Sequence, residues 1–397
     1  MRYQISAAER AHRRRRVLDF LARRRLDGLC LFGPTQIFYL SGFAFIATER
    51  PMVYALAASG ATTLLVPRLE EEHCHTHADV DRVVAYPEYP GEKHPMHHLR
   101  DLLAGMGLAR ARLGMDSDGY PGVMGYQGPR LSEILPDATT EPARDIIENL
   151  IKIKSPEEIA LIRESCRWGN LAHALLQERT RPGLTETEIS GRASHEATMT
   201  MVRTLGPEYR PLSWTFPGAH AGFRGQIGKH SAIPHAMTTN ARIQVGDVLV
   251  TGASAAVGGY HSELERTMVV GQPSAEVARY FQLMIDVQDA AFAAIRPGGK
   301  CSDVDRVVRA FFDRHDLWPY WRHHVGHALG MGVHEAPFFD VGDNSVIEPG
   351  MVFSVEPGIY VPDLGGFRHS DTLLVTETGI EMLTYYPRDL EAMTIPV

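Results

Sequence analysis

Cysteine is scarce in this sequence. Cys30, Cys74, Cys166 and Cys301 are the only four in 397 residues, far apart and with no C-x-x-C pair. That spacing excludes a disulfide framework and the common structural zinc motifs. Long apolar runs are missing as well. None reaches 18 residues, so no membrane-spanning helix is expected. The first residues, MRYQISAAERAHRRRR, lack the apolar stretch of a secretory leader, and a reduced cytoplasmic setting is the expectation. Positive charge is in deficit. Forty Lys and Arg face 48 Asp and Glu, a net charge of -8 that argues against a nucleic-acid partner. What is present is a globular balance, 44% hydrophobic and 22% charged, over a length that suits two domains.

The pattern of elements divides the chain. Ser6 with Glu9 three residues on has capping-box spacing, and Leu18, Leu21 and Leu26 share a helical face that stops at Gly28. The arginine run 13–16 reads as a solvated helix face. LCLFG reads as a buried strand, IFYLSGF as a second strand, and YALAASGATTLLVP as a hairpin turning at Ser59-Gly60. Alternating strands and helices make residues 1–147 an α/β domain. A second domain, 148–397, opens with Ser155 as N-cap, Pro156 at the first helical position and Glu158 at the third. Within it ERTRPGLTETEI and AIRPGGKCSDV are similar enough to predict two duplicated halves, with a site between them at the strand ends.

Several residues can carry chemistry. Glu263 and Glu265 are two apart in GGYHSELERTMVVG, so on a strand both carboxylates face one side and call for a positive partner. His327 and His334 flank a Gly-rich stretch in HHVGHALGMGVHEAP, Glu356 precedes Pro-Gly in FSVEPGIY, and His235 follows a proline in KHSAIPHAMTT. The tract EEEHCHTH, carrying His73 to His77, fits an exposed helix end better than a metal tract.

Taken in order, Glu-x-Glu-Arg-Thr, Gly-His-x-x-Gly-x-x-x-His-Glu, Glu-Pro-Gly-x-Tyr and Gly-Gly-x-Arg (ending at Arg368) resemble the pita-bread superfamily of methionine aminopeptidase, aminopeptidase P, prolidase and creatinase. The resemblance covers nearly the whole chain. It implies an α/β (α+β) architecture of two domains, a creatinase-type N-terminal domain and a pita-bread C-terminal domain with pseudo-two-fold halves. Peptidases of this family bind two divalent ions with two Asp, one His and two Glu. Those positions fall here on Gly252, Glu263, His327, Glu356 and Ser370, so two of the five offer no family ligand.

The resemblance to the metal-independent creatinase branch accordingly implies no cofactor and hydrolysis of a C–N bond in a small cationic, carboxylate-bearing substrate. His235 would shuttle the proton, Glu265 and Glu356 would hold the cation with Glu263 assisting, and His327 and His334 would line the pocket. Arg50 would reach the neighbouring site of a homodimer to bind a carboxylate, with Arg368 also among the substrate-binding residues. Phe338 and Ser370 depart from that branch, and HEAP points to the peptidases. The alternatives are an Xaa-Pro aminopeptidase or prolidase with one Mn or Zn ion on Glu263, His327 and Glu356, and a non-catalytic binding module of the same fold.

Overall fold

The computed structural model describes residues 3–120, 124–213 and 217–397. The chain divides into two compact units, one spanning Ile5–Ile151 and the other built on Lys152–Val397.

The N-terminal unit carries a six-stranded mixed sheet. Its order is Arg82–Tyr86, Thr62–Pro67, Val53–Ala57, Gly28–Leu31, Arg112–Met115, Thr139–Pro142. The helix Ala7–Arg24 starts as the sequence predicts, with Ser6 Oγ accepting from the Glu9 N–H at 3.1 Å. It ends earlier than Gly28, because Arg25 takes the left-handed cap at φ 56°, and Gly28 instead opens a strand. IFYLSGF is helical rather than extended: Pro34 begins the helix Pro34–Ser41 and Gly42, at φ 73°, ends it. This helix also helps to bury Arg13 and to cover part of Arg14. Their guanidiniums donate to the Tyr39 and Leu40 carbonyls, both at 3.0 Å, in its last turn, where unpaired carbonyls attract positive charge.

In the C-terminal unit the helices Pro156–Arg179 and Glu186–Leu205 form one pair, and Ala275–Ala294 and Cys301–Arg314 another. Ser155 and Glu158 make the reciprocal capping box that the sequence predicts. The two halves repeat down to single backbone bonds. Each helix pair is joined through an Arg-Pro-Gly turn whose glycine has positive φ, 88° at Gly183 and 82° at Gly298. The Gly183 N–H donates to Ile243 O and the Gly298 N–H to Ile347 O, both at 2.8 Å. Three residues beyond each isoleucine stands a glycine of positive φ, Gly246 and Gly350, and then a buried strand, Val248–Val250 or Val352–Val355. Six residues beyond those glycines the same spacing brings Gly252 in one half and Glu356 in the other.

The main sheet of this unit is antiparallel throughout. It runs Glu335–Phe339, Gly326–Ala328, Val352–Val355, Ser370–Val375, Leu264–Glu265, Gly252–Ala255, Ala219–Gly222. Register places His327 opposite Ser354, and Glu265 opposite Ser370. The fully buried Arg266 fixes this register. Its guanidinium donates to the carbonyls of Glu265, Ser370, Tyr386 and Pro387 and to Asp371 Oδ1 at 2.7 to 3.0 Å, so each of its nitrogens is occupied. Among the described residues, no helix is long and apolar enough to cross a membrane.

Candidate active site

Glu263 ends the loop before the strand Leu264–Glu265, and the side chains of Glu263, Glu265 and Glu356 offer oxygens within 4.8 Å of one another. Three carboxylates at that distance repel unless cations lie among them. Arg368 is one. It is buried, its Nη2 donates to Glu265 Oε1 at 2.8 Å, and its Nε lies 2.5 Å from Glu265 Oε2 and 3.7 Å from Glu356 Oε2. Arg224 is another, paired with Glu265 Oε1 from the other side. Burial lifts the Glu265 carboxyl above its usual range, and the two guanidiniums oppose the lift. At Glu356 burial also opposes the charge, but His327 and Arg368 outweigh it and hold the carboxyl well below the usual range.

Arg368 is itself held by a relay. Burial pushes His323 down to about 4, so it is a neutral imidazole. Its Nδ1 faces the His324 carbonyl at 2.7 Å and therefore carries the proton. Its Nε2 accepts from the Tyr360 hydroxyl at 2.7 Å, and the Tyr360 oxygen accepts from Arg368 Nη1 at 3.0 Å.

His327 is fully buried on the strand Gly326–Ala328. Its Nδ1 lies 3.1 Å from the Ala328 carbonyl, which fixes the ring and leaves Nε2 for the site. Nε2 lies 3.3 Å from Glu356 Oε1 and 3.8 Å from Glu263 Oε2 and makes no hydrogen bond among the described residues. Burial opposes its positive form, but the Glu263 charge and the pairing with Glu356 raise it to about 9. The other carboxylate oxygen of Glu263, Oε1, accepts from Ser354 Oγ at 2.5 Å and Ser370 Oγ at 2.7 Å. A serine hydroxyl thus orients Glu263 at the position where the resemblance expects a ligating carboxylate. His334 is exposed and stacks on His327, ring centroids 3.7 Å apart, and its nitrogen joins Glu263 and His327 in a second ligand-competent group.

A buried imidazole nitrogen that faces two carboxylates at 3.3 and 3.8 Å suits a divalent cation in place of its proton. Among the described residues, the trios whose ligand atoms all lie within 4.8 Å of one another are Glu263, His327 and His334, and Glu263, Glu265 and Glu356, and Glu356 Oε1 also lies 3.3 Å from His327 Nε2.

Glu263, Glu265, Glu356, His327, His334 and Arg368 therefore come together in the C-terminal unit. His235 lies in an exposed turn after the short helix Gly228–Ala232 and makes no hydrogen bond or ion pair among the described residues. Arg50 belongs to the N-terminal unit, where its guanidinium is paired with Glu49 and, at 3.1 Å, with Glu88. Arg224, His323, Tyr360 and Ser354 were not singled out in the sequence.

The fold and this cluster define a two-domain pita-bread hydrolase of C–N bonds. The chain belongs to metallopeptidase family M24, which it matches over residues 160–377, with a creatinase/prolidase N-terminal domain over 13–150. It is 27% identical to the Xaa-Pro dipeptidase of Pyrococcus horikoshii over 95% of this chain and 97% of that one. An uncharacterized peptidase of Bacillus subtilis, YqhT, is 31% identical over 73% of this chain and 77% of its own length. The crystal structure of dipeptidase PepE from Mycobacterium ulcerans superposes with a TM-score of 0.82 at 27% identity, covering 99% of this chain and 100% of that one.

These relatives correct the expectation of a reaction without a cofactor. Metallopeptidases, and Xaa-Pro dipeptidases among them, stand where a metal-independent creatinase was expected. Gly252 and Ser370 lack two of the family's five ligands, which favours the one-ion alternative over the two-ion site.

Proposed function

We propose that the protein is a metal-dependent dipeptidase of the Xaa-Pro type that works with one divalent ion, Mn or Zn, held by Glu263, His327 and Glu356. The observation that carries this reading is His327 Nε2, buried, without a hydrogen-bond partner among the described residues and within 3.8 Å of two carboxylates. Such an ion supplies Lewis-acid activation of the scissile carbonyl. The protein's own groups do the rest. Ser354 and Ser370 hold Glu263 in place, and the Ala328 carbonyl fixes the imidazole of His327. Arg368 keeps Glu265 and Glu356 charged and aligned. His334, on the solvent side of His327, is placed to exchange a proton with the leaving nitrogen, which must be protonated as the C–N bond breaks. A panel of Xaa-Pro dipeptides, assayed after reconstitution with Mn or Zn and again with chelator, tests the proposal. Metal-dependent cleavage supports it, and no cleavage across the panel contradicts it.

A further inference from the structure

The two halves of the C-terminal unit differ at one informative place. Spacing that carries Gly246 onto Gly350 carries Gly252 onto Glu356. One half therefore presents a carboxylate where the other presents no side chain. Glu265 and Arg224 border the space beside Gly252: a Cβ there would lie 3.5 Å from Glu265 Oε1 and 3.7 Å from Arg224 Cζ and Nε, ordinary contact distances.

Arg224 is held there deliberately. Its backbone is left-handed at φ 54°, which costs a non-glycine residue energy that its surroundings must offset. The next residue, Gly225, is left-handed too at φ 77°, and its N–H donates at 2.8 Å to the buried Glu186 carboxylate. The second oxygen of Glu186 accepts from the Thr239 and Ala241 N–H groups. The Arg224 side chain is 45% exposed. Its Nη2 bonds Glu265 Oε1 and, at 3.3 Å, Gln226 Oε1, while Nε and Nη1 donate to no protein atom among the described residues. One carboxylate, Glu265, thus aligns a buried guanidinium, Arg368, and a half-exposed one, Arg224.

We infer that Arg224 binds a carboxylate of the substrate, and that its charge takes the place of a second ion. The inference rests on the single-ion reading above. Three carboxylates then face two guanidiniums and one divalent ion, with His327 neutral as a ligand. The surplus is one positive charge, which one substrate carboxylate cancels. A guanidinium with two unused donors suits a carboxylate better than an ammonium would, because its fork offers paired hydrogen bonds. A dipeptide carries a free carboxylate one residue from the scissile bond; an amidated dipeptide does not.

The test compares alanyl-proline with alanyl-prolinamide in the metal-loaded wild type, R224Q and R224K. The wild type prefers the free acid, R224Q loses about 10- to 100-fold on the acid through KM, and its KM for the amide changes less than about twofold. R224K falls between, since it keeps charge without the fork. G252D, which sets a carboxylate against Arg224, lowers the same preference. Equal effects on acid and amide, or none on either, overturn the assignment. If the wild type cleaves neither peptide, the Xaa-Pro reading has failed, and calorimetry with L-proline and L-prolinamide judges Arg224 alone. Proline binding that R224Q abolishes supports the role; binding unchanged in R224Q, or absent in the wild type, overturns it.

Discussion

Replacing Arg368 by methionine tests whether the site is held by charge pairing. Arg368 is 3% exposed and Glu265 likewise 3% exposed. Methionine has similar bulk, so the main loss is the charge that faces Glu265 at 2.5 and 2.8 Å and Glu356 at 3.7 Å. Breaking a buried ion pair from one side costs about 3–5 kcal/mol, because the remaining charge is left uncompensated. For a unit of this size that lowers the melting temperature by about 6–20 °C. Arg224 is half-exposed and offsets only part of the loss. The sign of the pH dependence follows from Glu265. Its folded carboxyl already lies above the usual range because of burial, and removing Arg368 raises it further. A raised carboxyl costs stability as pH rises through its folded value, so the deficit of R368M is larger at pH 8 than at pH 5. R368M combined with E265Q removes both charges and recovers much of the loss. Thermal melts of wild type, R368M and the double variant at both pH values check this. A single variant that melts within about 2 °C of wild type at pH 8, or a double variant no better than the single, refutes the reasoning.

Ser370→Ala removes a hydroxyl that donates to Glu263 Oε1 at 2.7 Å and leaves Glu263 less firmly oriented. Ion affinity measured against a chelating dye is expected to weaken by about 10- to 100-fold, and unchanged affinity would show that Glu263 is not a ligand. Two buried histidines set an acid limit on stability. Burial holds His173 down to about 3 and His369 well below its ordinary value, while their unfolded counterparts take protons below about pH 6.5. Stability therefore falls as pH drops from about 6.5 toward 4, by about 1.4 kcal/mol per pH unit for each group. His173→Gln removes one group's share of that slope in urea melts, and an unchanged slope would contradict the assignment.

What was legible in the sequence follows from local rules. The Ser155–Glu158 capping box, the two Arg-Pro-Gly turns and the Ser59-Gly60 hairpin are each set by a few neighbouring residues, and each forms. Glu263, Glu265 and Glu356 do meet, as the motif order implied, although Glu263 precedes the strand Leu264–Glu265 and strand alternation does not place it. The misreadings share a cause. IFYLSGF has apolar residues that suit a strand or a helix, and Pro34 and Gly42 at its ends decided for a helix. That helix in turn binds the guanidiniums of Arg13, which is buried, and Arg14, which is partly covered, and no local pattern reveals this. The site behaved the same way. Gly252 and Ser370 showed which ligands were absent, whereas what stands in their place is set by tertiary contacts: Arg224 beside Gly252, and the hydroxyls of Ser354 and Ser370 on Glu263.

The central claim is one ion per chain on His327 and its carboxylates. Elemental analysis of purified protein, dialysed against Mn or Zn and then freed of excess, tests it directly. The account predicts one equivalent in the wild type, retained in R224Q and lost in H327A. Two equivalents, none, or one that persists without His327 would contradict it.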